Sequence, residues 1–199
     1  HGLFYKDINK DQDFKMIYGT EGQVWNLSKI NDELFCGHDT GTFFVKNTKA
    51  FKIGQTPGSW IFKKHPKFDN SILQGNYNGI HILQKEYGKW KYKNKLEGFD
   101  ISSRYFEIVN DTTLLVSHEY KGVFKITFNK ELDKIHKIQM DPSVKKGINA
   151  SLIKFDEEIF YLNSEGLFRF DKNRLAFQKD ETLSKKINFE DYLTGKMIN

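Results

Sequence analysis

The sequence is poor in the residues that staple or break a chain. It has one cysteine, Cys36, so no internal disulfide can form. Only three of its 199 residues are proline. Its mean hydropathy is −0.62, and no apolar run approaches the roughly 18 residues that mark a membrane-spanning helix. The spacings His-x-His, His-Glu-x-x-His and Cys-x-x-Cys do not occur, which argues against a metal- or thiol-based centre. Sustained helical periodicity is scarce too. Residues 181–193 alone read equally well as helix or strand.

What the sequence does have is aromatic side chains, 15% of residues with 18 phenylalanines, and a net charge of +5. The lysines are spread along the chain. In GKWKYKNK (88–95), Lys89, Lys91 and Lys93 fall on one strand face and Trp90 and Tyr92 on the other. That pattern predicts an outer strand with a solvated cationic face and a buried aromatic face. Edge lysines also oppose sheet-to-sheet aggregation. Direct nucleic-acid contact is therefore not expected despite a pI of about 9.0. Cys36, inside a β-rich run, is expected to be a small buried hydrophobe.

A repeat organises the chain. Its copies are LFCGHDTGTFFV (34–45), ILQGNYNGIHIL (72–83), LLVSHEYKGVFKI (114–126) and IFYLNSEGLFRF (159–170), with GLFYKD (2–7) as a fifth half-copy. The glycine opening the second run is Gly2, Gly41, Gly79, Gly122 and Gly166, recurring at intervals of about forty residues. Each interval holds four short runs rich in β-branched and aromatic residues, bounded by Asn, Asp, Gly and Lys. Four antiparallel strands per unit, repeated about an axis, predict an all-β β-propeller fragment. Four complete blades are expected at 24–55, 59–96, 104–140 and 151–181, with partial blades at 1–19 and 187–199, all in one domain, 1–199. The five glycines are expected to be turn residues rather than phosphate binders. No signal peptide is legible, and the sequence reads as cut from something longer.

The element Gly22-Gln23-Val24-Trp25, with G-T-F-F, G-I-H-I, G-V-F-K and G-L-F-R after the turns, resembles the regulator-propeller (two-component regulator propeller) repeat. Only one unit keeps the G-x-h-W half. The resemblance implies the extracytoplasmic, periplasmic sensor region of a membrane-anchored regulator of the Bacteroidetes type. Kinase or DNA-binding output would then lie outside these residues. Two other functions stay open: a protein-interaction scaffold, since propellers serve that use equally, and a propeller lyase or glycosidase, which needs clustered ligands or two placed carboxylates.

Strand directions alternate, so the turns joining second to third strands share one end of the blades with the connections between blades. That end gathers His38 and Asp39, Asn76 and Tyr77, His118 and Glu119, and Ser164 and Glu165. The connections add Pro57-Gly58-Ser59-Trp60, Gly98-Phe99-Asp100 and Gly147-Ile148-Asn149. Rings beside hydrogen-bonding groups suit a small-molecule, oligosaccharide or peptide inducer. Trp60, Tyr77 and His118 are the first expected contacts, followed by His38, Asp39 and Glu119. Neighbouring residues of a strand point to opposite faces, so neither His-acid pair is expected to join. No catalytic residue, cofactor or metal is expected, and uncovered blade faces are expected to promote self-association.

Overall fold

The structure is a computed structural model that describes residues 1–186, so the further strand expected within 187–199 lies outside the described residues. The chain divides into two compact units, His1–Lys95 and Leu96–Asn199.

The first unit opens with a two-stranded ribbon, β1 (Phe4–Tyr5) and β2 (Lys15–Met16). Blade 1 follows as β3 (Val24–Ile30), β4 (Glu33–His38), β5 (Gly41–Lys46) and β6 (Lys49–Gly54). Blade 2 is β7 (Ile61–Lys64), β8 (Ser71–Asn76), β9 (Gly79–Glu86) and β10 (Lys89–Lys95). The second unit holds blade 3, β11 (Tyr105–Asn110), β12 (Thr113–His118), β13 (Gly122–Phe128) and β14 (Ile135–Met140). It also holds blade 4, β15 (Ser151–Phe155), β16 (Glu158–Asn163), β17 (Gly166–Asp171) and β18 (Ala176–Lys179). A six-residue helix, α1 (Glu181–Lys186), settles the first half of the ambiguous 181–193 stretch. Each blade is a four-stranded antiparallel sheet in sequence order, the meander of a β-propeller blade. We call its strands a to d.

Alternation sets the packing. In blade 1, Cys36, Phe43 and Val45 point to one side and bury Leu3 and Ile17 of the ribbon. Phe35 points to the other side, into Phe62, Ile72, Leu83 and Trp90 of blade 2. The Phe35 ring meets Trp90 edge-on at 5.3 Å and Phe62 at 5.8 Å. Each such buried side chain is worth about 1.5–3 kcal/mol of transfer free energy. The second unit repeats the scheme. Leu115 and Val123 of blade 3 share a core with Leu152, Tyr161, Phe168 and Phe177 of blade 4. Burial raises the Tyr161 phenol to about 12 and the Cys36 thiol to about 11, so Cys36 is an inert core group.

The repeat glycines close the b–c turns. Gly41 pairs with His38, Gly79 with Asn76, Gly122 with His118 and Gly166 with Asn163. At Gly41 the need is plain: φ is 145°, and a Cβ would overlap the Gly54 carbonyl oxygen. Gly2 has the same φ and opens β1. Leu3 N–H is donated to Thr20 Oγ1 at 3.0 Å, just as Leu167 N–H in blade 4 is donated to Ser184 Oγ at 3.0 Å. The ribbon is thus built as the c and d strands of a repeat. One detail departs from the alternation: Trp90 is buried, but Tyr92 is 38% exposed. A register shift between Tyr92 and Asn94 rotates that end of β10 off the buried face.

Candidate functional site

The last residue of strand b is His38, Asn76, His118 or Asn163, and the two asparagines and His38 latch the chain that enters the blade. Asn163 Nδ2 donates to Lys145 O at 3.0 Å, and its Oδ1 accepts from Glu165 N–H at 2.9 Å. Asn76 Nδ2 donates to Pro57 O at 3.3 Å. His38 does the same with a ring. Thr40 N–H is donated to Nδ1 at 3.1 Å, which assigns the proton to Nε2, 3.3 Å from the accepting Thr20 O. His38 is fully buried. It holds the turn and does not face outward.

The adjacent Asp39 does not point away, contrary to the strand-alternation expectation. Its Oδ1 lies 2.5 Å from His38 Nδ1. The alternation rule fails because Asp39 stands in the turn beyond β4. With Nδ1 already accepting, that buried oxygen makes no hydrogen bond, while the side chain as a whole is 38% exposed.

The backbone then joins turn to connection. Gly58 N–H is donated to Asp39 O at 3.1 Å and Ser59 N–H to His38 O at 3.2 Å. Gly37 carries no side chain because a Cβ would overlap Ser59 O. Below this seam lies a buried polar network. Thr42 Oγ1 donates to Gln74 Oε1 at 2.6 Å and lies 2.8 Å from Ser59 Oγ. Gln74 Nε2 donates to Ser59 Oγ at 3.1 Å and to Asn76 Oδ1 at 2.5 Å. All four residues are at most 1% exposed. Such a closed network fixes geometry because breaking any member leaves the others unpaired.

Above the seam stand three rings. Trp25 and Trp60 lie 4.5 Å apart at 47°, and Trp60 meets Tyr77 edge-on at 5.2 Å. Trp60 N–H is fixed to Gly75 O at 2.8 Å, just before β7. Tyr77 lies on Gly58, where any Cβ would overlap its ring. Tyr77 is 43% exposed and the tryptophans are half-buried. Trp25 Nε1 is a buried donor with no hydrogen-bond partner. So Trp60, Tyr77, His38 and Asp39 come together, and Trp25 joins them. Sequence reasoning quoted Trp25 only as part of the repeat. Its signal was a large aromatic at the entry to strand a, where a bulge between Val24 and Asn26 re-aims it.

His118 and Glu119 belong to the second unit and a different setting. His118 Nδ1 accepts from Tyr120 N–H at 3.2 Å, and its ring sits 6.1 Å from the Tyr120 ring. Its pKa is lowered, first by burial and then by Lys121, against the opposing pull of Glu119. The other b–c turn of the second unit carries an exposed ion pair, Lys145–Glu165, at 2.7 Å.

The opposite ends of the blades hold open, charged depressions. One of about 360 Å³ is lined by Glu157, Glu158, Arg169, Asp171 and Lys172 in blade 4, where Arg169 bridges Glu158 and Asp180. One of about 480 Å³ is lined by Asp32, Glu33, Phe44 and Lys46 in blade 1. Among the described residues no three His, Cys, Asp or Glu side chains converge as a metal site would require.

No protein-family model and no curated protein matches the sequence. Solved structures do match in fold. The extracellular domain of BT4673 from B. thetaiotaomicron, assigned as a hybrid two component system, superposes with a TM-score of 0.62 at 14% identity over 90% of this chain. This chain spans 23% of that one. The WD40 β propeller domain of Doa1 gives a TM-score of 0.61 at 12% identity, over 85% of this chain and 56% of that one. A protein from Bacteroides fragilis assigned as a 6-phosphogluconolactonase gives 0.57 at 11% identity, over 85% and 59%. At these identities the likeness establishes the β-propeller fold, to which this chain's four blades conform.

Proposed function

We propose that this chain is the extracytoplasmic sensor propeller of a bacterial signal-transduction regulator, with repeats of the regulator-propeller type, and that it binds a small inducer rather than transforming one. The observation that carries this is the ring cluster Trp25–Trp60–Tyr77 at the b–c/d–a end of the first unit, backed by a rigid buried network and tied through Gly58 N–H to the Asp39 carbonyl. Half-exposed rings on a fixed base offer apolar area at little entropic cost. The extracellular domain of BT4673, a similar fold, favours a sensor over a catalyst. Oligosaccharides and short peptides both present the flat apolar faces and donors that such a cluster takes.

The chain reports on its own site. It has three tryptophans, and the third, Trp90, is buried against Glu33 in the core. A Trp90→Phe variant therefore leaves Trp25 and Trp60 as the emitters. A saturable emission shift on titration with one class of oligosaccharide or peptide, abolished by Tyr77→Ala, supports the proposal. Emission unmoved by either class at millimolar concentration refutes it.

A further inference from the structure

The outer strands of the first unit carry charge of one sign. β6 holds two lysines and β10 four, and neither strand holds an Asp or Glu. The outer strands of the second unit, β14 and β18, hold one lysine each. Lys49, Lys52, Lys89, Lys91 and Lys93 are all exposed. Glu86, opposite Lys89, is the single acid in the hairpin 79–95. The blade 1 turn sets Lys46 directly opposite Lys49, and like charges so placed repel. A concentration of positive charge on one edge suits an anionic partner.

Rings stand out from the same edge. Phe51 pairs with Phe44 and Tyr92 with Leu83, so both lie on the sides of β6 and β10 that meet in the core of the two blades. They stand at its outer margin and are 51% and 38% exposed. Tyr87 goes further. It is fully exposed and opens the two-residue turn Tyr87-Gly88 between β9 and β10, with φ values of 48° and 75°. A left-handed φ is costly for a large side chain. The other two-residue turns entered by a left-handed residue use Asn31, Asn47 and Asp156 there. Tyr87 therefore strains its turn and adds no packing. Lysines guard an outer strand against pairing with another sheet, but exposed rings beside them would undo that protection.

A membrane surface takes this combination. Lysines gather at anionic headgroups, and tyrosine rings sit at the boundary between headgroups and acyl chains. We infer that the outer edge of blades 1 and 2, led by Tyr87, docks on a membrane surface rich in anionic lipid. Lys89 and Lys91, about 7 Å apart on one strand face, meet the headgroups together with Lys49, while Tyr87 and Phe51 enter the interface. The Tyr87 turn lies at the other end of blade 2 from Tyr77. The inferred surface does not depend on the three-ring cluster or on any inducer.

Co-sedimentation of the whole chain with lipid vesicles tests this. Saturable binding is expected to vesicles of equal parts phosphatidylglycerol and phosphatidylcholine at about 50 mM salt, weakening as added salt screens the charges. Vesicles of phosphatidylcholine alone are expected to bind none. A Lys89→Glu/Lys91→Glu variant is expected to bind at least about tenfold more weakly. Tyr87→Asn is expected to bind about threefold more weakly, while its unfolding midpoint holds or rises because asparagine accepts the left-handed turn. Four results would overturn the inference: no binding to the anionic vesicles, undiminished binding by the lysine variant, a Tyr87→Asn chain that binds as well or melts earlier, or tighter binding to a soluble polyanion such as single-stranded DNA or dextran sulfate than to the vesicles.

Discussion

The turn edges of the two units share a backbone device and differ in what they show to solvent. In both, an asparagine ending strand b reaches back to a carbonyl of the incoming connection: Asn76 to Pro57, Asn163 to Lys145. In the first unit that device sits on a buried four-residue polar network and carries three rings in tilted and edge-on contact. In the second it carries an exposed Lys145–Glu165 pair, and the neighbouring blade 3 turn ends in the half-buried His118. The shared part therefore belongs to the fold. Among the described residues the second unit's turns carry one ring pair, His118 and Tyr120, in place of the three-ring cluster, and the latch does not require that cluster. A surface feature beyond what the architecture needs is the better candidate for recognition.

That contrast can be broken by mutation, starting with the largest effect. Gln74→Ala should destabilise the chain by about 2–4 kcal/mol, because Thr42, Ser59 and Asn76 each lose a buried partner and a small void opens. Denaturant unfolding measures it, and a loss under 1 kcal/mol would mean that water satisfies the network. Next comes pH. His81 is buried and its Nε2 is 2.9 Å from Asn78 Oδ1. Burial first, and Lys95 second, depress its pKa from 6.5 to about 4. The unfolded chain binds this proton below about pH 6.5 and the folded chain only near pH 4, so stability is full above that window and falls as pH drops through it. After allowance for screening the loss is about 2 kcal/mol. His81→Gln should flatten the slope relative to the parent, and an unchanged slope would contradict the assignment.

Asn163→Ala should cost about 1–2 kcal/mol, since it frees the turn N–H of Glu165 and leaves Lys145 O with the Tyr161 hydroxyl as its donor. Lys145→Ala removes only the exposed, solvent-screened ion pair beside it and should leave the unfolding midpoint unchanged. If the two variants were equal, the latch would not be the structural part of the edge.

Much of the fold was legible because alternation and turn residues agree along the chain. The run SILQGN is β8 and EIFYLN is β16, and the repeat glycines fall opposite the ends of strand b. The misreadings sit where a local irregularity overrides the period of two. A bulge exposes Tyr92, another re-aims Trp25 into the ring cluster, and the turn beyond β4 brings Asp39 back onto His38. His38 looked like a contact because histidine is polar. Its second nitrogen is spent on Thr20 O, a partner 18 residues earlier that no local pattern reveals. Tyr77 and Trp60 were legible as residues of the shared end, but their mutual contact depends on Gly58 leaving room for a ring.

The central claim is that recognition uses the aromatic edge of the first unit and not the equivalent edge of the second. Its most direct test is the inducer dose–response of the full-length regulator carrying Tyr77→Ala, set beside the same receptor carrying His118→Ala. Tyr77→Ala should raise the half-maximal inducer concentration about tenfold or more, the loss of roughly 1.4 kcal/mol of ring contact, at unchanged receptor abundance. His118→Ala should shift it less than about twofold. A normal response in the folded Tyr77→Ala receptor, or a larger shift with His118→Ala, would contradict the account.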